Sequence, residues 1–98
     1  MPFSLRQTSE AAAQLELLGR TKSKAKRFKA VSKCLRLLAS NPRHPGLNTH
    51  EYSSLEGAGG EKVFEAYAEN RTPGAYRVFW HHGPGPNEIT IVAITPHP

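Results

Sequence analysis

The chain has 98 residues, of which 38% are hydrophobic and 21% charged, and these proportions are typical of one globular domain. It has no run of 18 apolar residues, and its N-terminus lacks the features of a signal peptide, so we expect a cytoplasmic protein without a membrane span. The single cysteine, Cys34, excludes an internal disulfide. Because paired Cys or His spacings are missing, we expect no metal site and no cofactor.

Charge is unevenly distributed along the sequence. The formal net charge is +5, yet residues 1–50 contain ten lysines and arginines against two glutamates, whereas residues 51–98 contain three against six. Eight of the thirteen cations lie between Arg20 and Arg36. Such a concentration of positive charge attracts phosphate backbones or acidic proteins. The sequence therefore predicts a polyanionic partner for its first half.

The first part of the chain predicts one strand followed by two helices. Residues 3–6 alternate apolar and polar side chains, which predicts a short strand. A hydroxyl pair then provides the cap of a first helix over residues 9–18, and Gly19 predicts its end. A second, longer helix is predicted over residues 21–39, because a proline shortly after it disfavours helical backbone.

The second helix has two neighbouring stripes of side chains. Apolar residues recur at steps of three and four and predict its buried face. Cations recur at the same spacing beside them and form what we call the basic stripe: Lys22, Lys26, Lys29, Lys33 and Arg36. No acidic residue lies between Glu16 and Glu51 to pair with these cations. The stripe is therefore either an ordinary solvated face or a surface for a polyanion.

The second part of the chain predicts a loop and three strands. Residues 41–60 are rich in turn formers and predict a loop. Runs of strand-forming residues over 62–68, 75–81 and 88–95 alternate with Gly/Pro turns and predict an antiparallel meander. The expected fold is therefore α+β, with an N-terminal strand, a two-helix hairpin and a three-stranded meander covered on one face by the helices.

Four segments together resemble the RelE/ParE superfamily, the toxins of bacterial toxin–antitoxin systems. They are LRLLASNPRHPGL at the end of the second helix, VFEAY and AYRVFW in successive strands, and IVAITPHP in the last strand. The resemblance covers essentially the whole chain. It implies one RelE/ParE-like domain over residues 1–98, an antitoxin protein as partner and no small-molecule substrate. For a nuclease member, it also implies cleavage of mRNA in the ribosomal A site without a metal.

The same resemblance implies roles for three residues. Arg77 matches the arginine that steadies the scissile phosphate in such nucleases, and His97 matches a general-acid histidine near the end of the last strand. Glu65, in VFEAY, stands where several relatives place a charged residue in the cleft. Each has an ordinary alternative. In these alternatives Arg77 is a surface arginine that pairs across strands with Glu65, Glu65 belongs to that structural ion pair, and His97 is a solvated residue at a frayed terminus.

These residue types suit RNA cleavage by 2′-hydroxyl attack. The reaction needs a base for the 2′-hydroxyl proton, a cation for the charge on the phosphorane, and an acid for the departing 5′ oxygen. Histidine transfers protons near neutral pH, and the arginine fork keeps its charge while binding two phosphate oxygens. Which residue is the general base stays open at this point.

Contacts with RNA are expected from the basic stripe and from three residues of the second half and its preceding loop, namely Arg43, His50 and Lys62. An acidic segment of an antitoxin is the other candidate ligand of the stripe. Two further functions also stay open. One is the ParE-like alternative, a toxin that acts on DNA gyrase without nuclease activity, and the other is a catalytically silent module that binds nucleic acid or protein.

Overall fold

A computed structural model describes residues 2–97 as a mixed five-stranded sheet with two helices packed on one face. The elements in chain order are β1 (Ser4–Gln7), α1 (Ser9–Arg20), α2 (Ala25–Ser40), β2 (His50–Glu56), β3 (Lys62–Tyr67), β4 (Tyr76–His82) and β5 (Glu88–Pro96). The sheet order is β1-β5-β4-β3-β2. Strands β1 and β5 are parallel, and the other pairs are antiparallel. The α+β class and the two helices are as predicted.

The number of strands differs from the prediction. Residues 50–56, predicted as part of a loop, form the edge strand β2. This strand was missed because its sequence, HEYSSLE, is polar, and only Tyr52 and Leu55 are partly buried. An edge strand pairs on one side only, so its sequence carries a weak hydrophobic signal. The pairing is also irregular, with a shift of register between Glu51 and Glu56.

The ends of the helices also depart in part from the sequence-based expectation. Thr8 caps α1 by accepting a hydrogen bond from the backbone N–H of Ala11, as the hydroxyl pair predicted. Gly19 does not end α1, which continues to Arg20. The second α-helix starts later than predicted because a short 3₁₀ turn, Lys22–Lys24, precedes it. No helix within residues 2–97 is long and apolar enough to cross a membrane.

The two faces of the sheet bury different sets of side chains. On the helix-covered face, Val31 and Leu38 of α2 pack against Val78 and Trp80 of β4. The opposite face, which we call the open face, has a small apolar cluster of Val63, Phe79 and Ala93 with neighbouring side chains of β2 and β5. Successive side chains of a strand point to opposite faces, so Glu65 and Arg77 lie on the open face.

Candidate active site

A buried carboxylate lies at the centre of the open face. Glu65 is in the middle of β3, and its side chain is 0% exposed. The residues two positions before and after it, Val63 and Tyr67, share its face because strand side chains alternate. Burial of a charge costs free energy unless neighbouring groups compensate it, so the ionised form of Glu65 depends on the charged and polar groups around it.

Two histidines contact this carboxylate, one that precedes it in the sequence and one near the C-terminus. His50 is the Cα partner of Glu65 in the β2–β3 pairing, and its Nε2 lies 2.8 Å from Glu65 Oε1. His97 follows β5, where its backbone N–H donates to the Ala75 carbonyl at 3.1 Å, and its Nδ1 hydrogen-bonds to Glu65 Oε2. Both histidine side chains are about half exposed, at 49% and 50%. His97 is therefore a fixed residue and not a frayed one.

The contacts of the rings define where their protons lie. His50 Nδ1 is 3.0 Å from the Asn48 carbonyl oxygen, which only accepts, so Nδ1 carries a proton. His50 Nε2 lies at ion-pair distance from Glu65 Oε1 but without hydrogen-bond geometry. His97 contacts Glu65 only through Nδ1, and its Nε2 has no hydrogen-bond partner among the described residues. The Nε2 atom of His97 is therefore free to exchange a proton with a bound molecule.

Arg77 completes the cluster from β4. Its Nε lies 3.4 Å from Glu65 Oε2, an ion-pair distance without hydrogen-bond geometry. Its guanidinium stacks 3.7 Å above the ring centre of Tyr67, its Cα partner in the β3–β4 pairing. Nη1 donates to the backbone carbonyls of Glu69 and Tyr76. Arg77 is only 8% exposed, so it is a buried fixed charge and not the surface arginine of the simpler alternative.

Two tyrosines flank the cluster, and sequence analysis did not identify them as site residues. Tyr67 packs edge-on against His50 at 5.7 Å between ring centres, and Tyr52 packs edge-on against His97 at 6.5 Å. Both are partly exposed. Tyr67 could have been identified from the sequence, because it lies two residues after Glu65 in the same predicted strand. Tyr52 could have been identified only if β2 had been predicted. We call these six residues the Glu65 cluster: His50, Tyr52, Glu65, Tyr67, Arg77 and His97.

The basic stripe lies along the exposed side of α2 and its preceding turn. All five of its cations are exposed, and none has a carboxylate within ion-pair distance among residues 2–97. A groove of about 330 Å³ extends from Lys33 past His44 to Tyr67. Tyr67, which also contacts Arg77 and His50, is the one residue of the Glu65 cluster that lines this groove.

Two of the residues expected to bind RNA lie away from this cluster. Lys62 is exposed at the start of β3, with its Nζ 3.6 Å from Glu51 Oε1. Arg43 lines a cleft on the helix-covered side of the sheet. His50, by contrast, joins the predicted catalytic residues. No group of three or more His, Cys, Asp or Glu side chains within the described range is arranged to hold a metal ion.

Comparisons with known proteins identify the fold. No protein-family model and no curated protein matches the sequence. Among solved structures, a YoeB/ParE toxin from Agrobacterium tumefaciens gives a TM-score of 0.72 at 12% identity, over 98% of this chain and 100% of that one. An archaeal RelE–RelB complex from Pyrococcus horikoshii OT3 gives 0.65 at 16%, over 98% and 96%. A YoeB dimer from Staphylococcus aureus gives 0.65 at 12%, over 100% of both chains. The chain therefore has the fold of the RelE/ParE superfamily of toxins, as its sequence motifs predicted.

Proposed function

We propose that this chain is the toxin of a toxin–antitoxin pair and that it cleaves ribosome-bound mRNA in the Glu65 cluster. The observation that carries the proposal is the convergence of Glu65, Arg77 and His97 on one face of the sheet. Two half-exposed imidazoles and a fixed guanidinium around one buried carboxylate are the groups that RNA cleavage requires. If the Glu65–Arg77 ion pair had only a structural role, it would not need two half-exposed histidines beside it.

Proton transfer is assigned to His97. Glu65 contacts its Nδ1 and thereby fixes both the ring and its tautomer, as a carboxylate does for a catalytic histidine in serine proteases. The opposite nitrogen, Nε2, then exchanges protons with the substrate. General acid–base assistance of this kind contributes about 10²–10⁴-fold to a rate. Glu65 acts here through His97 and is a positioning residue.

Stabilisation of negative charge is assigned to Arg77 and His50. Arg77 balances the charge of the Glu65 carboxylate, so a proton taken up by either histidine gives the cluster a net positive charge. Preorganised charge in a poorly hydrated site stabilises a developing anion without reorganisation. The buried position of Arg77 against Tyr67 and the backbone carbonyls provides that preorganisation.

The proposed reaction is an internal transfer of phosphate. The 2′ oxygen loses its proton and bonds to the adjacent phosphorus, and the bond from phosphorus to the 5′ oxygen of the next nucleotide breaks. The departing oxygen takes up a proton, which leaves a 2′,3′-cyclic phosphate and a 5′-hydroxyl. In this proposal His97 Nε2 gives or takes one of these protons, and His50 is the second imidazole at the site.

The basic stripe and its groove provide the approach for RNA. Unpaired cations along α2 attract phosphates, and a groove lined by both Lys33 and Tyr67 adjoins that surface. Tyr52 and Tyr67 are partly exposed rings beside the cluster, and because Arg77 covers one face of Tyr67, unpaired bases stack on the ring surface that stays exposed. In this proposal the protein acts in the cytoplasm, where ribosomes translate mRNA.

An antitoxin protein is the second proposed partner. One of the structural neighbours is a RelE–RelB complex, which supports a partner chain for this fold. The exposed cations of the basic stripe are complementary to an acidic segment that folds on binding. In this arrangement the antitoxin covers the surface that RNA otherwise uses.

Expression of the chain in bacteria without an antitoxin tests the proposed function. We expect growth arrest together with mRNA fragments that map to translated regions, and loss of both with a catalytically inactive His97→Ala variant. Arrest with intact mRNA and failed DNA supercoiling would instead indicate a gyrase-directed toxin. Normal growth with salt-sensitive RNA binding would indicate a silent binding module.

A further inference from the structure

A second cavity lies on the opposite side of β3 from the Glu65 cluster. It is a cleft of about 700 Å³ between the loop that follows α2 and the helix-covered face of the sheet. Phe64 and Trp80 form its apolar wall, and Arg43, His44 and His82 also line it. This volume is within the range of about 300–1,000 Å³ that is typical of small-molecule sites. No step of the proposed cleavage uses this cleft.

Three aromatic rings are clustered at the wall of the cleft. The ring centres of Phe64 and Trp80 are 5.1 Å apart, and His82 packs edge-on against Trp80 at 4.9 Å. Trp80 is 2% exposed, and its indole Nε1 has no hydrogen-bond acceptor within residues 2–97. An unpaired buried donor is uncommon in proteins and is a place where a bound acceptor is favoured.

The polar residues of the cleft are cationic or neutral. Arg43 is exposed and has no carboxylate within ion-pair distance among the described residues. His44 Nδ1 accepts a hydrogen bond from the backbone N–H of Gly46, so its Nε2 carries a proton and is a donor. No aspartate or glutamate lines the cleft. The site is therefore complementary to an anion attached to a flat, apolar group.

We propose that this cleft binds a nucleotide, as a planar base joined to a phosphate. The base stacks on the ring of His82, which is exposed and nearly perpendicular to Phe64, and one of its acceptor atoms takes the hydrogen bond that the Trp80 indole lacks. The phosphate binds Arg43, whose fork suits two phosphate oxygens. The same chemistry is offered by a free mononucleotide and by one nucleotide of a single-stranded RNA.

The cleft and the Glu65 cluster are neighbours that share a short segment. Asn48 and Thr49 line the cleft, and the next residue, His50, contacts Glu65. The Asn48 carbonyl also accepts the hydrogen bond from His50 Nδ1. A nucleotide in the cleft therefore contacts the segment that positions His50. Binding of the nucleotide does not require that the protein cleave RNA.

Trp80 provides the probe for a binding test because it is the only tryptophan of the chain. We would follow its single indole N–H resonance in ¹⁵N-labelled full-length protein during titration with AMP, GMP, CMP, UMP and a short single-stranded RNA. We expect a saturable shift of this resonance, and no such shift with inorganic phosphate. The titration contains no ribosome, so its result does not depend on whether the protein cleaves mRNA.

A pair of arginine variants tests the phosphate contact. Arg43→Gln is expected to weaken nucleotide binding by about tenfold, the effect of losing one charge-assisted hydrogen bond. Arg71→Gln removes the same charge from an exposed turn away from the cleft and should leave the affinity unchanged.

The titration also identifies the source of the nucleotide. Saturation by mononucleotides supports a free nucleotide as ligand, whereas a shift with the RNA alone supports one base of an RNA chain. Absence of a saturable shift with every probe would overturn the proposal. Equal affinity of the parent and the Arg43→Gln variant would overturn it as well.

Discussion

The carboxylate of Glu65 holds the imidazole of His97, although 32 positions separate the two residues in the sequence. The contact exists because β3, β4 and β5 are adjacent antiparallel strands and the chain after β5 continues beside Ala75. A buried acid thus positions a half-exposed histidine with its second nitrogen free.

Replacement of Glu65 by glutamine should destabilise the fold. The substitution leaves the guanidinium of Arg77 buried without its counter-charge, and loss of one partner of a buried pair costs about 3–5 kcal/mol. Urea denaturation would measure the loss. Glu56→Gln, at the exposed end of β2, is the matched control and should change the free energy of unfolding by less than about 0.5 kcal/mol. Equal stabilities of the two variants would contradict a charged role for Glu65.

Replacement of Arg77 by lysine should also be harmful, although the charge is kept. Lysine cannot stack flat on Tyr67 while donating to the backbone carbonyls of Glu69 and Tyr76. We expect a loss of about 2 kcal/mol in unfolding free energy, together with weaker RNA cleavage. Arg71→Lys, in an exposed turn, is the control for both measurements. Full activity of the Arg77→Lys variant would show that charge alone is sufficient.

The sequence predicted the two helices and the strands of the meander, because hydrophobic periodicity is strong in those segments. It did not predict β2, since a polar edge strand has little periodicity. His50 was therefore assigned to a loop contact with RNA, whereas pairing of β2 with β3 places it opposite Glu65. The aromatic flank formed by Tyr52 was missed for the same reason.

The basic stripe predicts a salt-dependent affinity for RNA. Each phosphate contact to a single strand contributes about 0.7 to the slope of log K against log salt concentration. A double variant, Lys29→Gln with Lys33→Gln, should therefore lower the slope by about 1.4. A control pair that removes two charges elsewhere, Arg6→Gln with Arg71→Gln, should leave the slope nearly unchanged. Equal slopes for the two pairs would contradict a specific role of the stripe.

Cys34 should behave as a buried, unreactive thiol. Burial raises the pKa of the Cys34 thiol to about 12, compared with an ordinary value of 9.0. Since the folded state favours the protonated thiol, this group's contribution to stability is complete below about pH 9 and is lost as the pH rises towards 12. Labelling by a disulfide reagent at pH 8 should be slow in buffer and fast in denaturant. Rapid labelling of the native protein would contradict the burial of Cys34.

Cleavage of mRNA on programmed ribosomes tests the central assignment most directly. Purified parent protein and its His97→Ala variant would be compared in single-turnover reactions, with circular dichroism to verify that both are folded. We expect cleavage by the parent to a 2′,3′-cyclic phosphate end, and a rate at least about 100-fold lower for the variant. Equal rates for the two proteins would contradict the assignment of proton transfer to His97.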